Sequence, residues 1–226
     1  AVGDHVVLQP GNIRGRIRGL QSFGVASERV EPGARCAVNI QGVETIEISR
    51  GMMLTHSDTM SVTNSYDAEL KWLHDAPRID GSTSVSVLSG TAERRARLAP
   101  IGKSVLEPGE KRYARFHLEG EGVALVPGDR FIVRGFARTT SGGATLGGGQ
   151  ILDVTPIRRR LHDSALVESL DLLASNDRTD WIGVRVERAG FAGVTCRTLT
   201  LQMGIAEDEL KDLLATPATR NELFVT

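Results

Sequence analysis

Along residues 1–156, hydrophobic and polar positions alternate in short runs rich in Val, Ile and Leu, each closed by Gly, Pro or Asp. A period of two places successive side chains on opposite faces, the pattern of half-buried strands. The runs predict strands over 4–8, 13–21, 23–30, 36–40, 53–56, 60–70, 82–87, 94–98, 112–118, 130–138 and 149–155. Four pairs, Pro10-Gly11, Pro32-Gly33, Pro108-Gly109 and Pro127-Gly128, punctuate them. Proline presets φ and glycine accepts positive φ, so each pair marks a turn. Short strands at close spacing with strong turn signals predict antiparallel barrels or sandwiches.

After Pro156 the period lengthens. Leu166, Leu170 and Leu173 fall on one helical face, and the pattern predicts helices over 163–174, 181–189, 195–203 and 206–215, with a tail strand over 222–226. Helices ending in a strand follow the plan of a winged-helix module. The expected organisation is therefore mainly β: two antiparallel β-barrels over 1–58 and 59–156, then a small α-helical winged-helix module over 157–226.

Composition narrows the class. In 226 residues, 40% are apolar and 24% charged, so a core forms and wholesale disorder is excluded. Lys and Arg number 27 against 28 Asp and Glu, which gives no sign of a general polyanion binder, although local patches remain open. No run approaches the roughly 18–20 apolar residues of a membrane span. The start, AVGDHVVLQPG, shows neither the charged nor the apolar part of a signal peptide. Cys36 and Cys196 lie far apart, which makes neither a disulfide framework nor a metal pattern and suits a reducing, cytoplasmic setting.

The chemical motifs are sparse. Gly102-Lys103-Ser104 lacks the first glycine of a phosphate loop, whose place holds Arg97, and is read as a β-turn. The run GGATLGGG at 142–149 fits turns and close backbone approach in a barrel better than a nucleotide loop. His5, His56, His74, His117 and His162 show no metal spacing, Asp58, Asp75 and Asp80 read as turn formers, and no nucleophile elbow occurs. Residue chemistry alone gives no catalytic, metal or cofactor site. Arg14, Arg16 and Arg18 alternate with Ile13 and Ile17, placing three guanidiniums on one strand face, either solvated or contacting phosphates. Arg158-Arg159-Arg160 reads as a solvated charge run. The last predicted helix, AEDELKDLLA, carries Glu207, Asp208, Glu209 and Asp212 against one Lys211 and would repel phosphates, so it is expected to pack or space rather than read DNA.

The order of motifs is more specific than any one of them. VGDHVVLQP, RIRGLQSFG, VEPGARCAVNIQGVE and EISRGMML follow the strand order of the second domain of translation-factor GTPases. STSVSVLSGTAERRARL, LEPGE and GDRFIVRGFARTTSGGATLGGGQILD resemble the third domain. Together, and with the helical continuation, the chain resembles the selenocysteine-specific elongation factor (SelB) family over nearly its whole length. It departs from the family in lacking the guanine-nucleotide domain and the first strand of the second domain, and in Met52, where the RG turn usually continues with Asp or Gln.

The resemblance implies a tRNA-binding fragment of a GTP-dependent factor that carries selenocysteinyl-tRNA to the ribosome at recoded UGA codons. GTP and Mg would bind the missing domain, so the fragment itself needs no cofactor and is expected to be inactive alone. The messenger-RNA hairpin would be read by further winged helices, and a monomer away from membranes is expected. Arg35 matches the family's pocket arginine, where a guanidinium would pair with the selenolate; Arg50 is a second candidate for the tRNA acceptor end. Competing readings are a fragment of another translational GTPase of the elongation factor Tu type, a winged-helix DNA-binding regulator, and a plain scaffold module.

Overall fold

A computed structural model describes residues 1–56, 59–135, 144–175 and 177–216. The first sheet comprises β1 (His5–Gln9), β2 (Ile13–Ser22), β3 (Val25–Ser27), β4 (Cys36–Gln41) and β5 (Met53–Thr55), in the order β3-β2-β1-β5 with β4 also on β2. Its core is small: Val6, Ile17 and Leu20 against Val2, Val30, Val38, Ile40 and Leu54. The strand pairings described for this sheet leave it open.

The second unit closes. β6 (Ser61–Thr63), β7 (Ser65–Trp72), β8 (Ile79–Asp80), β9 (Thr83–Ser89), β10 (Ala92–Pro100), β11 (Val105–Leu106), β12 (Lys111–Leu118), β13 (Val123–Leu125), β14 (Arg130–Arg134) and β15 (Thr145–Asp153) follow in chain order. Six of them form a barrel in the order β10-β12-β7-β15-β14-β9, while β6 pairs β13 and β8 pairs β11 in two small ladders. Alternation fills the interior with Tyr66, Ala68, Leu70, Trp72, Leu98, Phe116 and Val133, and the rings of Tyr66 and Phe116 stack at 4.9 Å. The single strand expected over 60–70 breaks at Asn64, whose carbonyl accepts the Leu118 N–H at 2.7 Å; β6 then leaves the barrel to pair β13.

The glycine run is strand rather than turn over its described part. A Cβ on Gly149 would stand 1.8 Å from the Glu69 carbonyl oxygen, and Cβ atoms on Gly147 and Gly148 would meet the Lys71 and Phe131 oxygens at 2.6 Å. The bare backbone lets β15 lie closer to its neighbours than any side chain allows.

The helices are α1 (Ser164–Leu173), α2 (Arg178–Ala189), α3 (Cys196–Met203) and α4 (Glu207–Ala215). Asp163, Asp177 and Thr195 cap the first three by accepting a backbone N–H from the first turn. The predicted tail strand lies outside the described residues, as do the last residues of the strand predicted over 130–138. α1 and α2 do not form their own core. Leu166, Leu170, Leu173 and Val184 share one with Ile101 and Leu152 of the barrel. Gly102 belongs to this joint: its N–H donates to the Leu161 carbonyl at 2.7 Å, and His162 Nδ1 lies 2.8 Å from its carbonyl oxygen. Gly102-Lys103-Ser104 is thus a docking turn.

Four charged side chains, of Asp67, Arg115, Asp153 and Arg185, are buried in the same region, and Arg188 is half-buried beside them. Arg115 on β12 donates from Nε and Nη2 to Asp67 on β7, at 2.7 and 2.8 Å. Asp153, at the end of β15, accepts from Arg185 Nη1 at 2.8 Å and Arg188 Nη1 at 2.5 Å, both on α2, and from the Thr155 N–H at 2.9 Å. Asp67 and Asp153 are fully buried. Burial alone pushes the Asp153 carboxyl up, but Arg185, Arg188 and the Thr155 N–H together hold it below the usual carboxylate range. At Asp67 burial prevails over the Arg115 fork, and its pKa is raised.

Two outcomes are expected. Gly149→Ala forces β15 from Glu69 and destabilises the chain by about 1–3 kcal/mol or more, whereas Gly19→Ala, with nothing within 4 Å of the new Cβ, stays near neutral; urea unfolding measures both. Asp153→Asn leaves two buried guanidiniums without their carboxylate and costs about 3–5 kcal/mol. Because the folded pKa of Asp153 lies below its unfolded value, its stabilisation is complete above about pH 4 and fades as pH falls through the folded pKa. Asp67 acts in the opposite sense. The variant therefore lacks part of the acid-side loss of stability, which unfolding curves at several pH values record.

Candidate nucleic-acid interface

β2 presents its arginines as the alternation predicts. Ile17 and Leu20 are buried, while Arg14, Arg16 and Arg18 are exposed. Arg14 stands opposite Val7 on β1, and Arg16 opposite His5 on β1 and Gln41 on β4. The β2–β4 register then shifts between Ile17 and Gly19, so Arg18 is the extra residue of a bulge, a device that re-aims a side chain. The three differ in freedom. Arg16 Nε donates to the Gly3 carbonyl at 3.0 Å and is tied to the first turn. Arg14 and Arg18 make no hydrogen bond or ion pair with the described residues.

Arg35 follows the Pro32-Gly33 turn and directly precedes β4. Gly33 takes φ of 86°, the left-handed value that the turn needs. The Arg35 carbonyl accepts from Ser22 Oγ at 3.2 Å, which fixes its backbone at the end of β2, and its exposed side chain has no partner among the described residues. Eight residues of strand separate Arg14 from Ser22, roughly 26 Å. Arg35 and Arg14 therefore mark opposite ends of β2, with Arg18 between them.

Arg50 sits elsewhere, in the turn before β5, which packs against the start of β10. Gly51 beside it is buried with φ of 96°, its N–H donates to Thr91 Oγ1 at 3.1 Å, and a Cβ there would lie 3.0 Å from Ala92 Cα. The Met52 thioether accepts the Ser49 N–H at 3.4 Å, and the Met52 N–H donates to the Ser49 carbonyl at 3.2 Å, so the departure at this position leaves a closed turn. The Arg50 side chain is exposed at this seam.

Sequence reasoning missed a further cationic surface. β15 floors an open groove of about 890 Å³ on the barrel wall, with Lys71, Lys111 and Arg130 around it and Glu69, paired to Lys111 at 2.7 Å, as its carboxylate. It also missed Asp67, Arg115, Arg185 and Arg188; the signal was a polar residue within each buried run, as in Tyr66-Asp67-Ala68 and Leu152-Asp153-Val154.

The other candidates fall where their chemistry suggests. Arg158, Arg159 and Arg160 are exposed, with Arg159 3.9 Å from Asp163. On α4, Glu207, Asp208, Glu209 and Asp212 face solvent; Lys211 pairs with Glu207 and Asp208, and Arg178 of α2 pairs with Glu209. An exposed face of this sign does not approach a duplex backbone. No metal-holding cluster of His, Cys, Asp or Glu occurs among the described residues, and none of the described helices is long and apolar enough to cross a membrane.

The fold of this chain is similar to that of known proteins. The solved translation elongation factor SelB from Methanococcus maripaludis, in its apo form, superposes with a TM-score of 0.59 at 24% identity, over 70% of this chain and 37% of that one. A bacterial selenocysteine-specific elongation factor EF-Sec superposes with a TM-score of 0.68 at 20% identity, over 91% of this chain and 31% of that one. No protein-family model matches. In sequence, elongation factor 1-alpha of Archaeoglobus fulgidus is 24% identical over 175 residues, 69% of this chain and 40% of its own length. The chain belongs to the translation elongation factors. Its particular resemblance is to the selenocysteine-specific, SelB-type factors: that of Desulfomicrobium baculatum is 31% identical over 212 residues, 93% of this chain. The chain spans about a third of that relative's length, 32%.

The unequal freedom of the arginines has a measurable consequence. On the tRNA-binding reading proposed below, replacing Arg14 or Arg18 by Gln lowers the slope of log affinity against log salt for tRNA by somewhat under one unit each, whereas Arg16→Gln also loosens the first turn. Filter binding across a salt series separates them.

Proposed function

We propose that this chain is the tRNA-binding portion of a factor that delivers selenocysteinyl-tRNA to the ribosome at recoded UGA codons. The observation that carries the reading is the match to the selenocysteine-specific factor along 93% of the chain, against 69% for an elongation factor 1-alpha. The longer match is what an additional helical unit over 157–226 would produce.

On this reading residues 1–58 are part of the second-domain barrel of a translation factor, residues 59–156 the third-domain barrel, and residues 157–226 a winged-helix unit. The first unit takes the aminoacylated end of the tRNA, and the barrel supports its acceptor and T arms. Further winged-helix units of the whole factor would read the messenger-RNA hairpin, in the cytoplasm where translation proceeds. GTP and its magnesium ion belong to a guanine-nucleotide domain, and this portion hydrolyses nothing by itself.

Arg35 is the group with chemistry to distinguish selenocysteine. Selenocysteine is an anion at neutral pH, while serine carries a neutral hydroxyl. A guanidinium with no internal carboxylate is free to pair with the selenolate once the tRNA end covers it, and such a charge-assisted contact is about twice as strong as a neutral one. Its backbone is fixed by Ser22, so the side chain starts from a defined point on the sheet. Arg50 is a second contact for the acceptor end, and Arg14 and Arg18 take phosphates.

The deciding experiment titrates selenocysteinyl-tRNA and seryl-tRNA against the chain joined to a guanine-nucleotide domain, as wild type and as Arg35→Ala. The wild type is expected to prefer selenocysteinyl-tRNA and the variant to lose about tenfold of that preference. Equal wild-type affinities remove selenocysteine from the reading and favour a general elongation factor of the Tu or 1-alpha type. The chain alone is expected to bind tRNA weakly, and less as salt rises.

A further inference from the structure

The outer wall of the barrel carries a like-charge pair that folding alone does not explain. The chain has four lysines, Lys71, Lys103, Lys111 and Lys211. Two of them, Lys71 on β7 and Lys111 on β12, stand directly opposite each other in the strand register. Like charges in that relation destabilise a sheet. Glu69 answers only Lys111, at 2.7 Å. Lys71 and Arg130, the latter on β14, are exposed, and their side chains have no partner among the described residues.

These three cations border the open groove of about 890 Å³, and the register shows how it forms. Leu88 of β9, Ile132 of β14, Gly148 of β15, Lys71 and Lys111 make one row across the wall. The central member carries no side chain, because a Cβ there would meet the Phe131 oxygen at 2.6 Å. Ile132 and Lys71 thus flank a gap floored by bare backbone. The row crosses five strands, a path of about 19 Å at the usual strand spacing. Arg130, Gln150 and Glu69 form the next row. Glu69 and Gln150 also line a second recess, of about 330 Å³, between barrel and helices, bordered there by Ser175, Arg178 and Trp181.

We propose that this groove holds the sugar–phosphate backbone of an RNA strand, with Lys71, Lys111 and Arg130 on its phosphates, and that the strand runs on toward the helices. The inference rests on the tRNA-binding reading above and deepens it by assigning one wall of the barrel to the RNA. A phosphate set between Lys71 and Lys111 relieves their repulsion, and three cations against one carboxylate match a polyanion. The length and openness of the groove suit a polymer. Exposed cations hold a lone anion weakly, whereas a strand engages all three at once. Gly148 lets that strand approach the sheet, and Ile132, 49% exposed, offers an apolar edge. An acidic peptide fits less well. β15 is paired on both sides, by β14 and β7, so it has no edge on which a peptide could add as a strand. Side-chain contacts to phosphates need no such edge.

The test is filter binding of deacylated tRNA to the whole chain across a salt series, which keeps selenocysteine out of the measurement. The variants are Lys71→Gln with Arg130→Gln, and Ile132→Glu. The double variant is expected to lower the slope of log affinity against log salt by roughly 1.5 units and to weaken binding about tenfold near 0.1 M salt, with Tm unchanged. Ile132→Glu, which sets a carboxylate in the groove, is expected to weaken binding as well, and Ile132→Lys to strengthen it. Wild-type binding that neither the double variant nor Ile132→Glu alters overturns the groove and leaves the tRNA-binding reading standing. Absence of any wild-type binding overturns both. Poly-glutamate that binds the wild type as tightly as tRNA, and weakens in the same variants, overturns RNA as the occupant. If a variant fails to fold, lysine acetylation of the wild type decides. Bound tRNA is expected to protect Lys71 and Lys111 but not Lys211 on α4, and equal modification with and without tRNA refutes the site.

Discussion

Asp153 does the most to make barrel and helices one object. It closes the last barrel strand, is fully buried, and accepts from two arginines one helical turn apart on α2. A carboxylate in such a place is tolerable only with its partners, and the arginines only with the carboxylate. The helix register, the end of β15 and the shared apolar core of Leu152, Leu170 and Val184 are therefore fixed together. Movement of α2 along the barrel would separate charges that have no alternative solvent.

The first sheet is held on different terms. Its core is thinner, several of its large apolar side chains are exposed, Phe23 by 88% and Ile46 by 94%, and its bond to the barrel includes the close fit of Gly51 against Ala92. The free arginines lie on this less constrained unit. On the proposed reading the division suits recognition of RNA by one part while another stays rigid: exposed guanidiniums need solvent until a ligand arrives, and a closed barrel supplies the fixed support.

Much of this was legible in the sequence because period-two alternation survives wherever a strand has one buried face. β2, β9, β10 and β12 follow it, and α1 to α4 begin and end within about three residues of the helices that the apolar period predicts. The failures have physical causes. β8, β11 and β13 are two or three residues long, too short for a period to show. The glycines of β15 carry no side chain to alternate, so a tightly packed strand resembled a loop. Asp67 and Asp153 interrupt the apolar pattern, yet their partners lie 48 residues away in one case and 32 and 35 in the other, distances no local pattern conveys. Arg14, Arg16 and Arg18 were visible as a stripe, but the tie between Arg16 and Gly3 and the bulge at Arg18 depend on neighbours from other strands.

The acid face of α4 has a consequence beyond its own ion pairs. Exposed arginines on β2 and exposed carboxylates on the last described helix place charge of opposite sign on different elements of a chain whose net charge is only −1. On the proposed reading, an RNA is attracted to the arginine strand and repelled from α4, which biases the orientation of its approach. On that reading the helix acts by repulsion, a contribution that leaves no trace in the contacts of the bound state.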